Sequence, residues 1–228
     1  MSDAPLLVAR GLVKRYRRDA TADPPPALVD ADLTVLAGEF VALVGPSGSG
    51  KSTLLQLLGG LDAPDSGSVS LDGSDYARLD DDALTRLRHR DLGFVFQFFN
   101  LMPTLTAREN AMFPALLGGL PRTEARRRAD ALLAEVGLDG LGDRYPDELS
   151  GGQQQRVATA RALVNGPRVV LADEPTGSLD RAAGRDVLDV LGRLARERRV
   201  AVVMATHDPE AAARADRVVR LRDGRIEP

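Results

Sequence analysis

The sequence contains no cysteine, which excludes disulfides and thiolate metal sites. It has no apolar run near the roughly 18 residues that a membrane span needs, so a membrane role is expected to come through a partner. It has no surplus of positive charge: 30 Lys and Arg stand against 33 Asp and Glu, a formal net charge of -3. Such a balance argues against bulk electrostatic binding of nucleic acid, and none is expected as a partner. Met1–Pro5 shows no basic segment running into an apolar one, so no secretory leader is expected. Only two histidines are present, His89 and His207. No internal repeat is visible. What remains is 228 residues, 43% of them hydrophobic, enough for one large α/β domain, with or without an inserted lobe.

One stretch organises the rest. Gly45-Pro46-Ser47-Gly48-Ser49-Gly50-Lys51-Ser52-Thr53 fits the phosphate-loop template G-x-x-x-x-G-K-[ST]. The apolar run Phe40–Val44 before it reads as a buried strand, and Ser52–Leu58 after it reads as a helix. Strand, glycine loop and helix together aim backbone N–H groups and the positive end of a helix dipole at one spot. A polyphosphate is the expected occupant. Lys51 would reach its β- and γ-phosphates, and the Ser52 hydroxyl would ligate Mg²⁺.

Around this loop the pattern alternates. Residues 6–16 are β-prone, and Asp19–Ala27 is turn-like because three prolines exclude a central strand. Val29, Ala31, Leu33 and Val35 alternate with polar residues, as a half-exposed antiparallel strand would. Ser68–Leu71 is a short strand and Asp72-Gly73 a turn. Residues 79–91 read as helix and Leu92–Phe96 as strand. From Gln97 to about Leu149 the pattern is helical. Ala125, Ala129, Leu132, Leu133 and Val136 share one helix face, and Gly137 is placed to stop that helix. Arg126-Arg127-Arg128 is either a binding patch or a solvated face; His89, in a charged stretch, reads as a surface residue. A helix follows Gly151-Gly152, then the apolar run Val169–Ala172, helix 181–197 and the strand Val200–Ala205. Alternating strands and helices predict a mostly parallel sheet, a P-loop core with an antiparallel β subdomain. Residues 98–150 would be an inserted helical subdomain, with 1–97 and 151–228 forming the rest. Ligands of such sheets bind beyond the carboxyl ends of the strands. Gly45, Asp173 and His207 each follow a predicted strand.

Asp173, at a strand end, suits the Mg²⁺ shell opposite Ser52. The Glu174 carboxylate beside it suits a base that takes a proton from an attacking water. Leu149-Ser150-Gly151-Gly152-Gln153 is a second candidate anion site. Ser150 offers a hydroxyl, the two glycines let backbone N–H groups approach, and a helix starts there.

LSGGQ, GPSGSGKST and VVLADE, in that family's order, resemble the nucleotide-binding subunits of ABC (ATP-binding cassette) transporters. The resemblance runs from about Val8 to Gly224. It implies an ABC ATPase fold and an ATPase with ATP and Mg²⁺ as cofactors. It implies a head-to-tail dimer in which Ser150, Gly151, Gly152 and Gln153 of one subunit close over the ATP on the phosphate loop of the other. Tyr16 resembles the aromatic that stacks on adenine. Gln97 resembles the glutamine that contacts Mg²⁺ or the attacking water. Ser178-Leu179-Asp180 resembles the loop that touches the opposite subunit, and His207 the histidine at the γ-phosphate. Phe98–Thr106, Glu109-Asn110 and Gln153–Arg156 look like the MacB/LolD/FtsE-type branch, which implies export or lipoprotein extraction. An integral membrane permease would then be the second partner, and the cytoplasmic face of a bacterial membrane the address. Phe98, Phe99, Leu101 and Met102 either dock that permease or pack within the lobe. Two other readings stand beside this one: an ATP-driven switch in a membrane signalling complex, and a soluble ABC ATPase.

Overall fold

The computed structural model describes residues 4–16 and 25–227. Most of the predicted Asp19–Ala27 turn lies outside the described residues. The chain opens with β1 (Pro5–Lys14), β2 (Leu28–Leu36), β3 (Phe40–Val44) and α1 (Lys51–Leu58). Next come β4 (Ser66–Leu71), β5 (Ser74–Asp75), α2 (Asp81–Asp91) and β6 (Leu92–Phe96). Three helices follow, α3 (Ala107–Leu117), α4 (Arg122–Glu135) and α5 (Gly151–Leu163). The chain continues through β7 (Val169–Asp173), α6 (Arg181–Arg198), β8 (Ala201–Thr206), the short α7 (Pro209–Ala212), β9 (Arg217–Arg222) and β10 (Arg225–Ile226).

The strands form two sheets. One is antiparallel, in the order β2-β1-β4-β5; the other has the order β10-β9-β3-β8-β7-β6 and is parallel except for β10. The central parallel strands β3, β7 and β8 are apolar on both faces because both faces are covered. Phe40, Ala42, Val170, Ala172, Val202 and Met204 join the core formed with α3 to α6. Their neighbours Val41, Leu43, Val169, Leu171, Val203 and Ala205 join the core formed with α1 and the antiparallel sheet. A strand alternates its side chains with a period of two, so one continuous apolar run supplies both cores.

Register decides where the strands end. Val44 pairs with Thr206, Asp173 with Ala205, and Phe96 with Asp173. The carboxyl ends of β3, β8, β7 and β6 therefore lie side by side. The four segments that leave them begin at Gly45, His207, Glu174 and Gln97.

Three local expectations change. In β2 the predicted face of Val29, Ala31, Leu33 and Val35 breaks at its start, since Leu28 is buried and Val29 only half-buried. Asp30 has φ 50°, and the pairing shifts between Leu12↔Ala31 and Lys14↔Leu28. One extra residue in β2 makes a bulge there and turns Leu28 into the core. Second, the segment after Gln97 is not helical until Ala107. Phe99 and Asn100 both have positive φ, and α3 starts where Thr106 and Glu109 form a capping box. Third, His89 is half-buried rather than on the surface. Its Nε2 lies 2.7 Å from the Pro114 carbonyl and 3.1 Å from Asn165 Nδ2, linking α2 to α3 and the end of α5. Arg86 and Arg90 beside it are exposed while the imidazole fills the joint.

Helix α4 keeps its predicted face, with Ala125, Ala129, Leu132 and Leu133 buried and Gly137 at φ 73° beyond its end. Its arginines are a solvated face: Arg127 and Arg128 pair with Glu124, and Arg126 reaches toward Asp130. β9 was not predicted. Its buried residues are only Val219 and Leu221, set among arginines, and it becomes a strand by pairing with β3.

Candidate functional site

The loop between β3 and α1 owes its shape to glycine. A Cβ on Gly45 would stand 2.2 Å from the Leu221 carbonyl oxygen. Gly50 sits at φ 104°, where a Cβ would also meet the Ala27 carbonyl oxygen at 2.5 Å. No side chain caps α1, and no acidic residue lies in its first turn. The first N–H groups and the dipole are thus left for an anion. Lys51 is buried. Its ammonium donates to the Gly45 and Pro46 carbonyls at 2.8 and 3.0 Å, so the charge is held at the loop.

The loop forms one wall of a cleft of about 540 Å³ lined by Ala27, Ser47, Gly48, Gly50–Thr53, Gln97, Glu174 and His207. Three sequence-distant residues predicted to act together, Gln97, Glu174 and His207, therefore share one cleft with the phosphate loop. Glu174 has φ 46°, an unusual value for a residue other than glycine. Its N–H donates to Ala205 O at 2.9 Å and its carbonyl accepts from Gly177 N–H at 3.0 Å, which holds the turn. Its Oε1 lies 2.9 Å from Nδ1 of His207, the one half-enclosed and the other mostly exposed.

Asp173 stands just behind. Burial raises its pKa, and the Glu174 charge adds to this; a hydrogen bond from Ser52 and the Lys51 charge pull the other way. One of its oxygens, Oδ1, is buried without a partner. An orphaned carboxylate oxygen beside a hydroxyl is a donor set that suits a hard divalent cation with its remaining ligands from phosphate and water. Among the described residues no cluster of three or more His, Cys, Asp or Glu could hold a metal unaided.

Tyr16 flanks the cleft from outside. Its hydroxyl lies 3.1 Å from Asp62 Oδ2 and 3.3 Å from Gln56 Oε1. Burial and then Asp62 raise the phenol pKa. Lys14, paired with Asp62 at 2.7 Å, sits 5.3 Å from the ring centroid. The ring is 42% exposed, so one surface is open to a ligand.

The second candidate anion site is elsewhere. Ser150 is the N-cap of α5, its Oγ accepting from Gln153 N–H at 3.3 Å while Gln153 Oε1 accepts from Ser150 N–H at 2.9 Å. Gly152 is packed so that a Cβ would meet that of Ala183 at 2.6 Å. None of Ser150, Gly151, Gly152 and Gln153 lines the phosphate-loop cleft of the same chain. In the third predicted segment, Ser178 Oγ donates to the Gln97 carbonyl at 2.9 Å, and Asp180 caps α6 through Ala183 N–H at 2.9 Å. Of the apolar group after Gln97, Leu101 packs against the core, whereas Phe98 is 75% exposed.

The sequence marks Gln155 only as part of the branch-like run Gln153–Arg156 and gives it no place in the site, yet it is fully buried and bonds to the backbone beside both Gln97 and Glu174. The available signal was a glutamine on the helix face that also carries Ala158, Thr159 and other buried residues.

A family model described as ABC transporter matches residues 28–177. Macrolide export ATP-binding/permease proteins MacB of Rhodospirillum rubrum and Nitrosomonas europaea are 52% and 50% identical over 91% and 97% of this chain. The matches take in 32% and 33% of those proteins, so the chain spans about a third of their length. The lipoprotein-releasing system ATP-binding protein LolD of Anaeromyxobacter dehalogenans is 52% identical over 92% of this chain and 89% of its own. A solved dimeric structure of the ATP-binding cassette MJ0796, in a post-hydrolysis state with ADP and Pi, aligns with a TM-score of 0.89. It is 41% identical and covers 98% of this chain and 97% of that one. The phosphate loop, the shared cleft and these likenesses lead to one conclusion: the chain belongs to the ABC transporter family.

Proposed function

We propose that two copies of this cassette sandwich two ATP molecules and drive export through a membrane permease. The observation that carries the reading is the separation of the two helix starts. The one at Lys51 has its own cleft; the one at Ser150 lies outside it and faces solvent. A second chain placed head to tail would bring Ser150, Gly151, Gly152 and Gln153 over the phosphates held at Gly45–Thr53. The dimeric state of MJ0796 supports this arrangement.

In the closed pair the loop N–H groups and Lys51 bind the β- and γ-phosphates, and Tyr16 stacks on adenine. Ser52, Asp173 and Gln97 would hold Mg²⁺, which when bound offsets the phosphate charge. Glu174 accepts a proton from the attacking water as its oxygen bonds to the γ-phosphorus and ADP leaves. Gln97 orients that water, and His207 contacts the γ-phosphate while hydrogen-bonded to Glu174. Ser178 and Asp180 lie at the dimer seam.

Residues 98–150 would serve as the helical subdomain that meets the permease, with the exposed Phe98 as an apolar contact. No helix among the described residues is long and apolar enough to cross a membrane. The permease is then either joined to this cassette, as the name ATP-binding/permease protein implies for the MacB relatives, or carried by another chain. The cassette would work on the cytoplasmic face of a bacterial membrane. Light scattering of Glu174→Gln with ATP tests the pair: a dimer is expected, and a monomer at high protein and ATP concentration would count against the sandwich. Co-purification from membranes should bring down a permease; a purely soluble partner would refute the transport reading.

A further inference from the structure

The buried amide of Gln155 spans two loops of the site. Its Nε2 donates to the Phe96 carbonyl at 3.1 Å and to the Pro175 carbonyl at 2.8 Å. Phe96 immediately precedes Gln97, and Pro175 immediately follows Glu174. Gln155 is 0% exposed, so these bonds are made away from water and both N–H groups of the amide are used. Its own Oε1 is buried without a partner, a cost the fold tolerates to keep the bridge. The amide belongs to α5, five residues beyond Ser150. Other contacts tie the same segments. Arg161, also on α5, donates to the Phe99 carbonyl at 2.7 Å and to the Asn100 carbonyl. Ser178 Oγ takes up the Gln97 carbonyl. Among the side-chain hydrogen bonds of the described residues, those of Gln155 alone reach the backbone both next to Gln97 and next to Glu174, adding to the β6–β7 pairing of Phe96 with Asp173.

We propose that Gln155 is a positioning residue for hydrolysis, holding Gln97 and Glu174 at a fixed spacing and tying both to the helix that begins at Ser150. This rests on the reading of Glu174 as the base and Gln97 as the group that orients water. Apolar packing alone could fill the space but could not fix two carbonyls relative to one another. Loss of the bridge therefore loosens the site without touching the phosphate loop.

Gln155→Met keeps length and volume and removes both donors. In the purified chain its kcat should fall about 10- to 100-fold, the scale for supporting contacts and for a displacement near 1 Å. KM for ATP and the affinity for a fluorescent ATP analogue should stay within about threefold, because the loss is confined to turnover. Thr159→Val, on the same helix and equally buried, removes only a hydroxyl bonded to the Gln155 carbonyl and should leave kcat within about twofold. A folded Gln155→Met with normal kcat, or an equal kcat loss in Thr159→Val, overturns the proposal. Gln155→Glu provides a second readout. A buried carboxyl has a raised pKa and can donate one bond when protonated. Its turnover relative to the unsubstituted chain should fall as pH rises; a ratio that stays flat overturns the bridge. Glu174→Gln separates the two levels. If it retains turnover, the base assignment fails and the positioning role with it. If it is inactive while Gln155→Met is fully active, only the bridge is wrong.

Discussion

The chain carries two helix starts suited to anions, at Lys51 and at Ser150, and they are finished in opposite ways. The first has no side-chain cap, a glycine at φ 104° in the cap position and a buried lysine in its first turn. The second is closed by its own residues, Ser150 and Gln153 each accepting from the other's backbone. An open start binds phosphate with nothing to displace. A capped start is already satisfied, and a ligand must be delivered to it in competition with the cap. The difference fits a site in which the loop of one chain binds first and the capped start of another closes afterwards.

The comparison can be broken most severely at the chemistry between the two starts. Glu174→Gln should lower kcat by about 10²- to 10⁴-fold, the range for a general base, with nucleotide binding retained. Near-normal hydrolysis would remove Glu174 from that role and leave the two starts as binding sites only. Next in size is Lys51→Ala. Charge-assisted hydrogen bonds contribute about 1.5–3 kcal/mol, so ATP affinity should drop roughly 10- to 100-fold in a filter or fluorescence titration. Affinity that survives intact would mean the open start is not the principal phosphate site.

Ser150→Ala acts on the capped start. Monomer affinity for nucleotide should be unchanged, and unfolding by denaturant should show a loss of about 0.5–2 kcal/mol from the cap. Hydrolysis should fall about 2- to 10-fold for one neutral hydrogen bond across the pair. If monomer affinity falls instead, the two starts serve one chain rather than two. Smallest is Tyr16→Phe, which keeps the ring and loses only the hydroxyl bonded toward Asp62 and Gln56. Calorimetry should give ATP affinity within about twofold, since the exposed hydroxyl makes no contact with a stacked base. A larger loss would show that the hydroxyl, rather than the ring face, serves the nucleotide.

Much of the site was legible because its parts are local. Gly45, Gly50, Lys51 and Ser52 sit in one turn whose backbone demands those residue types, and Ser150 with Gln153 spells a capping box three residues apart. Asp173 and His207 could be read as strand-end residues from the apolar runs before them. Gln97 rested on resemblance alone, as a lone glutamine has no pattern of its own. Gln155 was legible only as part of the run Gln153–Arg156, and its place in the site was not. Its partners, Phe96 and Pro175, are 59 and 20 residues away, and it bonds their carbonyls, which every residue possesses.

The sequence by itself determined the local pieces: the glycine-shaped phosphate loop, the helix starts, and the apolar runs that become parallel strands. These follow from backbone sterics and side-chain period, which need no distant partner. Tertiary structure alone decided that β3, β8, β7 and β6 end in line, bringing Gln97, Glu174 and His207 to the loop. It also decided the bulge at Asp30, the arginine-rich β9 and the burial of His89 and Gln155. Each depends on strand register or on a joint between elements, and those are set only when the whole core is packed.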